Sequence, residues 1–551
     1  MKQKILLILI LVLGIFLRFY KLGSLPNSYS PDELAQGYTA YSILTTGCDE
    51  WGSRNWLSLR SFGDYKPPVQ TLLMIPSIKV FGLNPFAVRF PNALLSVFTI
   101  ILTYLIADYL FKNKNISLIS SLFIAISPWS LPMSRIALEA NLVVFVISLA
   151  TYLFLKSIKN QQSFPFLISI TLFGVSLFTY HSAKIFTPLF LIALIFSQKI
   201  YRQKRFLIIL VSVFSLFFLS NFYLNSQIKS DRTGDIAIFN PTDKWSYVSN
   251  SQYEITQSGL PYSISRVFYN KIIYLFETFT QSYFSYFSPQ FLFTQGAGET
   301  TYGMIPGYGV LGIIPGIGFI LALILIIKTK KFERSKQLFF LFITILIPPT
   351  IAAIAKGQYS ANRVSLMMPF LQIISAVGLV YFIETIPQKF KKISYFIVLS
   401  IFSFFSLIFL ERYFFQGNQI LSQGMLYGHQ EANQIIQSLP SIDKIIYSRK
   451  LSEPQAYVAF FNQINPTITQ SGSIDWLRYE TNKLSFLDQL GEYSLGKFIF
   501  REINIPSDSQ LKNTLIVGRP EEFRDIKPDY IIYYPSKAKQ EAAIYIYKTK
   551  L

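Results

Sequence analysis

One cysteine and two histidines are all that 551 residues hold of those types. A lone Cys48 excludes an internal disulfide framework and any thiolate-based zinc site. His181 and His429 are too few for a histidine-rich metal centre. Charge is scarce as well: 15% of residues are charged against 51% hydrophobic, and the mean hydropathy is +0.37. A soluble surface needs more charge than that, and a disordered chain far less apolar content. The sequence has no P-loop and no glycine-rich dinucleotide fingerprint, which argues against a nucleotide cofactor. It has no internal repeat and no low-complexity tract.

What it does have is long apolar runs rich in its 52 Phe and 34 Tyr, interrupted by short basic clusters. A bilayer crossing takes about 20 apolar residues of helix. Runs of this kind fall near 4–20, 88–111, 116–133, 138–156, 165–180, 184–199, 206–221, 304–328, 337–354, 363–386 and 393–412, roughly eleven crossings. The first run ends in Arg18-Phe19-Tyr20-Lys21 without a small-residue cleavage site, so it reads as an anchor and not as a signal peptide.

Alternate short loops carry Lys2 and Lys4; Lys112 and Lys114; Lys156 and Lys159. The series goes on through Lys199 to Arg205, Lys328 to Lys336, and Lys389 to Lys392. Such clusters mark the cytoplasmic side. Much of the +20 net charge is therefore a topology signal, and no nucleic-acid partner is needed to explain it. The expected arrangement is a multi-pass protein of the plasma (inner) membrane with a cytoplasmic N-terminus. Three longer segments, 21–87, 222–303 and 413–551, then lie outside. The apolar stretch 69–83 is short for a crossing and reads as a helix in the outer interface.

From about Gly417 the texture changes. Strand-like runs at Lys444–Tyr447, Lys497–Arg501, Thr514–Val517, Tyr530–Tyr534 and Ala543–Tyr547 alternate with helical patterns at Glu431–Ser438 and Glu453–Phe461. That alternation predicts a small α/β domain. The expected domains are a polytopic α-helical membrane unit over 1–412 and an extracytoplasmic α/β domain over 413–551.

The outer loops hold the candidate chemistry. Ser30-Pro31-Asp32-Glu33 has the form of a capping box, with Ser30 as N-cap and Glu33 reaching back. A capping box uses only Glu33. Asp32 is then available as a general base towards a hydroxyl, although a purely structural role for the pair is an equal reading. In Phe62-Gly63-Asp64-Tyr65-Lys66-Pro67-Pro68, Lys66 precedes a helix start, where a cation opposes the helix dipole. An anionic partner would explain it; snorkelling towards headgroups is the alternative. Arg89, Arg135, Lys184 and Arg363 recur at the outer ends of other runs, against the orientation rule. A shared phosphate would satisfy several of them, though each alone could be an interfacial anchor. Arg135 and Glu139 could also simply pair along a helix. His181 alone reads more simply as a packed residue than as a catalyst.

The first loop, SPDELAQGYTAYSIL…FGDYKPPVQTLLMIPSIKVFGLNPFAVRFPNAL, together with SRIALEAN at 134–141, resembles the membrane glycosyltransferases of the GT-C fold. The dolichyl-phosphate-mannose protein O-mannosyltransferases and the lipid A aminoarabinose transferase are the nearest in pattern. The resemblance covers roughly residues 1–400. It implies that Asp32 and Glu33 are the catalytic acidic pair. Lys66, Arg135, Lys184 and Arg363 would then hold a donor phosphate, with Glu139, Tyr65, His181 and Arg89 in support. Histidine before the prolines is commoner in the protein mannosyltransferases, so Lys66 leans towards the aminoarabinose type.

The implied reaction is inverting transfer of mannose or another sugar from a polyprenyl phosphate to a hydroxyl of a protein, lipid or glycan. No cofactor is required; Asp32, Glu33 and Glu139 are the carboxylates that could hold a divalent metal. A lipid-linked-oligosaccharide ligase or polymerase is the alternative, and a secondary transporter a weaker one. The run centres lack the charges that transport needs.

Overall fold

The computed structural model describes residues 2–61, 64–227, 238, 245–328, 332–439, 442–484, 486–524, 526–536 and 540–550. Residues 228–237 and 239–244 of the second outer loop, Lys330 and Lys331 of one basic cluster, and the Phe62-Gly63 of the first loop lie outside these.

The chain opens as α1 (Lys2–Phe19), α2 (Pro31–Thr46), α3 (Pro68–Phe81), α4 (Pro85–Phe111), α5 (Lys114–Ala125) and α6 (Ser130–Ser134). It continues as α7 (Glu139–Asn160), α8 (Ser163–Ser176), α9 (Ala183–Ser197) and α10 (Lys204–Gln227). Later apolar helices are Ile313–Lys328, Phe332–Ile354, Phe370–Thr385 and Gln388–Glu411. Every run expected to cross coincides with a helix. Among the described residues, 6 helices are long and apolar enough to span a bilayer, at 85–111, 139–160, 204–227, 336–354, 365–385 and 388–421.

Others are shorter than expected, for a local reason. The run 116–133 breaks after Ala125, because Pro128 disfavours helical backbone in the residue before it. The helical part of 304–328 begins only at Ile313. Over 365–385 the apolar window is 89% buried, which puts this helix at the bundle centre; over 204–227 it is 11% buried, which leaves Ile208, Leu216 and Phe222 on the outside.

Three arginines within this apolar surround are fully buried, and each is held by fixed oxygens, although Arg135 Nε has none. Arg135 donates to the carbonyls of Leu17, Arg18, Tyr20 and Leu25, filling acceptors that the end of α1 leaves open. Arg18 donates to Ser96 and Ser130 Oγ and to the carbonyls of Gly14, Ile124 and Ala125, tying α1 to α4 and α5. Arg89, near the start of α4, reaches the carbonyls of Leu22, Pro26 and Ser28. Buried charge is tolerated only when bonded in this way.

The C-terminal region folds as a 6-stranded sheet, order β4-β5-β3-β6-β8-β7. Its strands are β3 (Lys444–Ser448), β4 (Glu492–Leu495), β5 (Phe498–Arg501), β6 (Thr514–Gly518), β7 (Tyr530–Tyr533) and β8 (Ala542–Lys548). The central β3 runs parallel to β5 and β6, and the outer strands are antiparallel. The expected strands are all present. β4 is an addition, formed because Gly496 at φ 58° turns the chain back onto β5.

This sheet unit does not stand apart from the first loop: Tyr38, Val88, Tyr457 and Phe460 share one apolar core with β3 and β6. Gly37 is required there. A Cβ at that position would lie 2.6 Å from Val88 Cγ2 and 3.2 Å from Phe460 Cε2. Tyr457 Oη donates to the Tyr29 carbonyl at 2.7 Å, and Tyr38 Oη to the Ile464 carbonyl at 2.7 Å.

Candidate active site

Pro31 at the first position of α2 sets its entry, but the expected capping box does not form. Ser30 makes no side-chain cap bond. Glu33 instead turns inward, where Arg89 Nε and Nη2 meet its Oε1 at 2.9 and 2.8 Å and the Ala137 N–H donates to Oε2 at 3.2 Å. Both partners are fully buried. Burial raises the carboxyl's pKa against the pull of Arg89. A preformed buried cation outcompetes a local backbone turn for this carboxylate, so Glu33 is part of the scaffold.

Asp32, one residue earlier, points the other way. A short hairpin, β1 (Leu59–Ser61) against β2 (Asp64–Lys66), pairs Leu59 with Lys66 and Arg60 with Tyr65. It ends at Pro67-Pro68, which starts α3. This places Lys66 Nζ 2.8 Å from Asp32 Oδ1, with the lysine side chain 11% exposed. Burial opposes the lysine's charge, but Asp32, Glu139 and Glu453 outweigh it and hold its pKa above the ordinary value. The ammonium is therefore permanently charged at neutral pH. Glu139, at the start of α7, accepts from Gln36 Nε2 at 2.8 Å.

Asp32 and Lys66 line a cavity of about 150 Å³ with Thr301, Tyr302, Ser452, Glu453 and Phe486. The first loop supplies an acid and a base, residues 301–302 supply an aromatic wall, and the sheet unit supplies a second carboxylate. Tyr302, Glu139, Glu299 and Arg363 all act electrostatically on Tyr180, so Arg363 belongs to the same neighbourhood. Its Nη1 donates to the Lys356 carbonyl at 2.6 Å, while the Ala361 N–H donates to Glu299 at 2.9 Å. Lys184 Nζ donates to Asn225 Oδ1 at 2.8 Å; at His181 burial of the ring first, and the Lys184 and Lys66 charges second, push the pKa down to about 3.

Arg135, expected at the phosphate, and Arg89, expected in support, are both held by the scaffold. Nη1 and Nη2 of Arg135 donate to the four carbonyls around the end of α1, and it does not pair with Glu139. Arg89 is committed to Glu33 and three carbonyls. Tyr65 is likewise occupied: its hydroxyl accepts from Arg60 Nη2 at 2.8 Å, and Arg60 in turn bridges to Glu480 at 2.8 Å. As metal donors, Asp32, Glu33 and Glu139 are not assembled. Glu33 is held by Arg89, and among the described residues no three His, Cys, Asp or Glu side chains converge.

Sequence reasoning did not single out Tyr302, Ser452, Glu453 or Phe486. They come from segments with no motif of their own. The one available signal was the helical pattern beginning at Glu453.

Residues 65–223 match the family model described as dolichyl-phosphate-mannose-protein mannosyltransferase. An uncharacterized protein of Aquifex aeolicus (strain VF5) is 30% identical over 192 residues, 34% of this chain and 36% of that protein. The "Putative mannosyltransferase YkcB" of Bacillus subtilis (strain 168) is 29% identical over 174 residues, 31% of this chain and 23% of that one. The matches thus span about a third or less of these curated relatives. Over nearly its whole length the chain follows the crystal structures of ArnT from Cupriavidus metallidurans. The TM-score is 0.54 against the apo state and 0.53 against the form bound to undecaprenyl phosphate. Identities are 13% and 12%, and in both cases 98% of this chain and 97% of that chain are covered. The resemblance carried by the first loop extends to the whole architecture: this chain has the GT-C fold of the membrane glycosyltransferases.

Proposed function

We propose that the protein transfers a sugar from a polyprenyl-phosphate donor to a hydroxyl acceptor, with inversion, at the outer face of the plasma membrane. The observation that carries this reading is the 2.8 Å contact between Asp32 and Lys66 at one cavity wall. A base and a permanent cation within reach of one sugar are what a single displacement from a glycosyl phosphate needs.

In this reading the donor's isoprenoid tail stays among the apolar helices and its phosphate takes Lys66 from Asp32. Arg363 and Lys184 are the further cations of the neighbourhood. Asp32, released from the pair, accepts the proton of the acceptor hydroxyl, whose oxygen attacks the anomeric carbon. The bond from that carbon to the phosphate oxygen breaks, and polyprenyl phosphate leaves with the negative charge that Lys66 offsets. Fixed charge at a developing anion is where an enzyme gains most. Nothing in this sequence of steps calls for a metal. Arg135 and Arg89 act by holding the first loop, as does Glu33.

The family match over 65–223 supports mannose as the first sugar to try, and Lys66 before the prolines supports an aminopentose as the second. The acceptor would come from outside, on a protein, lipid or glycan. The N-terminus would be cytoplasmic and the sheet unit extracytoplasmic. The test is purified protein in lipid nanodiscs with polyprenyl-phosphate mannose and, separately, the aminoarabinose analogue, against a panel of acceptors. Release of polyprenyl phosphate coupled to acceptor glycosylation is expected with one of them; release with neither donor would reject the reading.

A further inference from the structure

A second cavity, about 340 Å³, opens in the sheet unit and is more than twice the size of the first. Its wall includes Tyr427, Tyr534, Arg519, Glu521 and Glu541, with His429 at its buried base. We propose that this cavity is a binding site for a neutral or amino sugar, distinct from the Asp32–Lys66 site.

The chemistry of the wall is that of saccharide recognition. Tyr427 and Tyr534 lie side by side, ring centroids 6.3 Å apart and inclined by 38°, offering aromatic faces to the C–H face of a pyranose. Arg519, Glu521 and Glu541 are planar groups that pair with adjacent hydroxyls. One guanidinium against two carboxylates leaves this wall at −1, which disfavours an anionic ligand. His429 does not change that sum, because burial pushes its pKa down to about 4. Its ring stacks on Tyr457 at 3.8 Å and bonds Tyr447 Oη, so it fixes the base without titrating. The volume lies within the usual range of small-molecule pockets, roughly 300–1,000 Å³.

The two cavities share a wall. Leu451 faces this one, while the next two residues, Ser452 and Glu453, face the other. Both sit at positive φ, 57° and 48°, a backbone conformation rare for side chains of this kind. The strap is clasped from the second cavity: His429 Nε2 meets the Leu451 carbonyl at 3.0 Å, and Arg519 Nε donates to the Lys450 carbonyl at 2.6 Å. A sugar that engages Arg519 therefore bears on the segment that carries Glu453 to Lys66.

The test uses the full-length protein in detergent, titrated with methyl α-mannoside, methyl β-glucoside and glucosamine by saturation-transfer NMR. Saturable binding of at least one is expected. Tyr534→Ala and Arg519→Gln should each weaken it about tenfold or more, the scale of about 1.4 kcal/mol. Asp32→Asn should leave it unchanged. Absence of saturation for all three probes would overturn the site, as would wild-type affinity in both Tyr534→Ala and Arg519→Gln. Loss of binding in Asp32→Asn would assign the sugar to the first cavity and also overturn it. A protein that binds these sugars but releases no polyprenyl phosphate would instead reject the transferase reading alone.

Discussion

Replacing Arg89 by alanine removes the cation on which the first loop is built, and its cost follows from the surroundings. Glu33 and Arg89 are both fully buried, so the variant leaves a carboxylate with one N–H donor, from Ala137, and no counter-charge. Breaking a buried pair on one side costs about 3–5 kcal/mol. The carbonyls of Leu22, Pro26 and Ser28 lose their donors at the same time, at about 1 kcal/mol each, which moves the expectation to about 5 kcal/mol or more.

The penalty also depends on pH. Without Arg89 the already raised pKa of Glu33 rises further, so the folded form holds a proton that the unfolded chain releases above about 4.3. The part of the deficit due to the unpaired carboxylate is therefore smallest at pH 4.5 and grows as pH rises through the raised folded pKa of Glu33, while the loss at the three carbonyls persists at every pH. Hydrogen exchange read by mass spectrometry on peptides over 31–46 is the assay. At pH 8 a loss of about 5 kcal/mol corresponds to more than a thousandfold loss of protection. Protection in α2 within about threefold of wild type at pH 8, or a deficit that does not shrink on acidification, would refute the account of the clamp.

Other expectations are simpler. Glu50 is buried, and burial, with Asp49 beside it, raises its pKa to about 8. Its protonated folded form makes stability fall as pH rises from about 4.3 to about 8; Glu50→Gln should flatten that slope in thermal melts at pH 5 and pH 8. Gly37→Ala should destabilise the joint between α2 and the helix Pro454–Phe461 by about 1–3 kcal/mol, seen as a lower melting temperature. Lys66→Ala should weaken binding of polyprenyl phosphate itself at least tenfold, about 1.4 kcal/mol, in a lipid-competition assay. Unchanged affinity there would remove its phosphate role.

Much of the fold was legible because apolar runs and strand texture are local properties. The expected crossings fall on helices, and the strands from Lys444 to Tyr547 are where their composition puts them. The break after Ala125 was carried by Pro128, yet an unbroken apolar count hides it.

The site was legible only in part, since its residues were chosen by charge while their partners are set by the tertiary fold. Asp32 and Lys66 meet across 34 residues through a hairpin that α3 and α2 together fix. Arg135 carries the same charge in sequence as Lys66, but the open carbonyls at the end of α1 claim it. Glu33 looked like half of a capping box until a guanidinium 56 residues away took it. Ser452 had no signal and Glu453 only the start of a helical pattern, because a left-handed strap leaves no mark on composition.

Single-turnover release of polyprenyl phosphate from a bound polyprenyl-phosphate sugar, compared between wild type and Asp32→Asn, tests the central assignment most directly. Acceptor-dependent release is expected in wild type and a loss of at least about a hundredfold in Asp32→Asn, the scale of general-base removal, with donor affinity retained. Release at the wild-type rate in Asp32→Asn would contradict the assignment of Asp32 as the base.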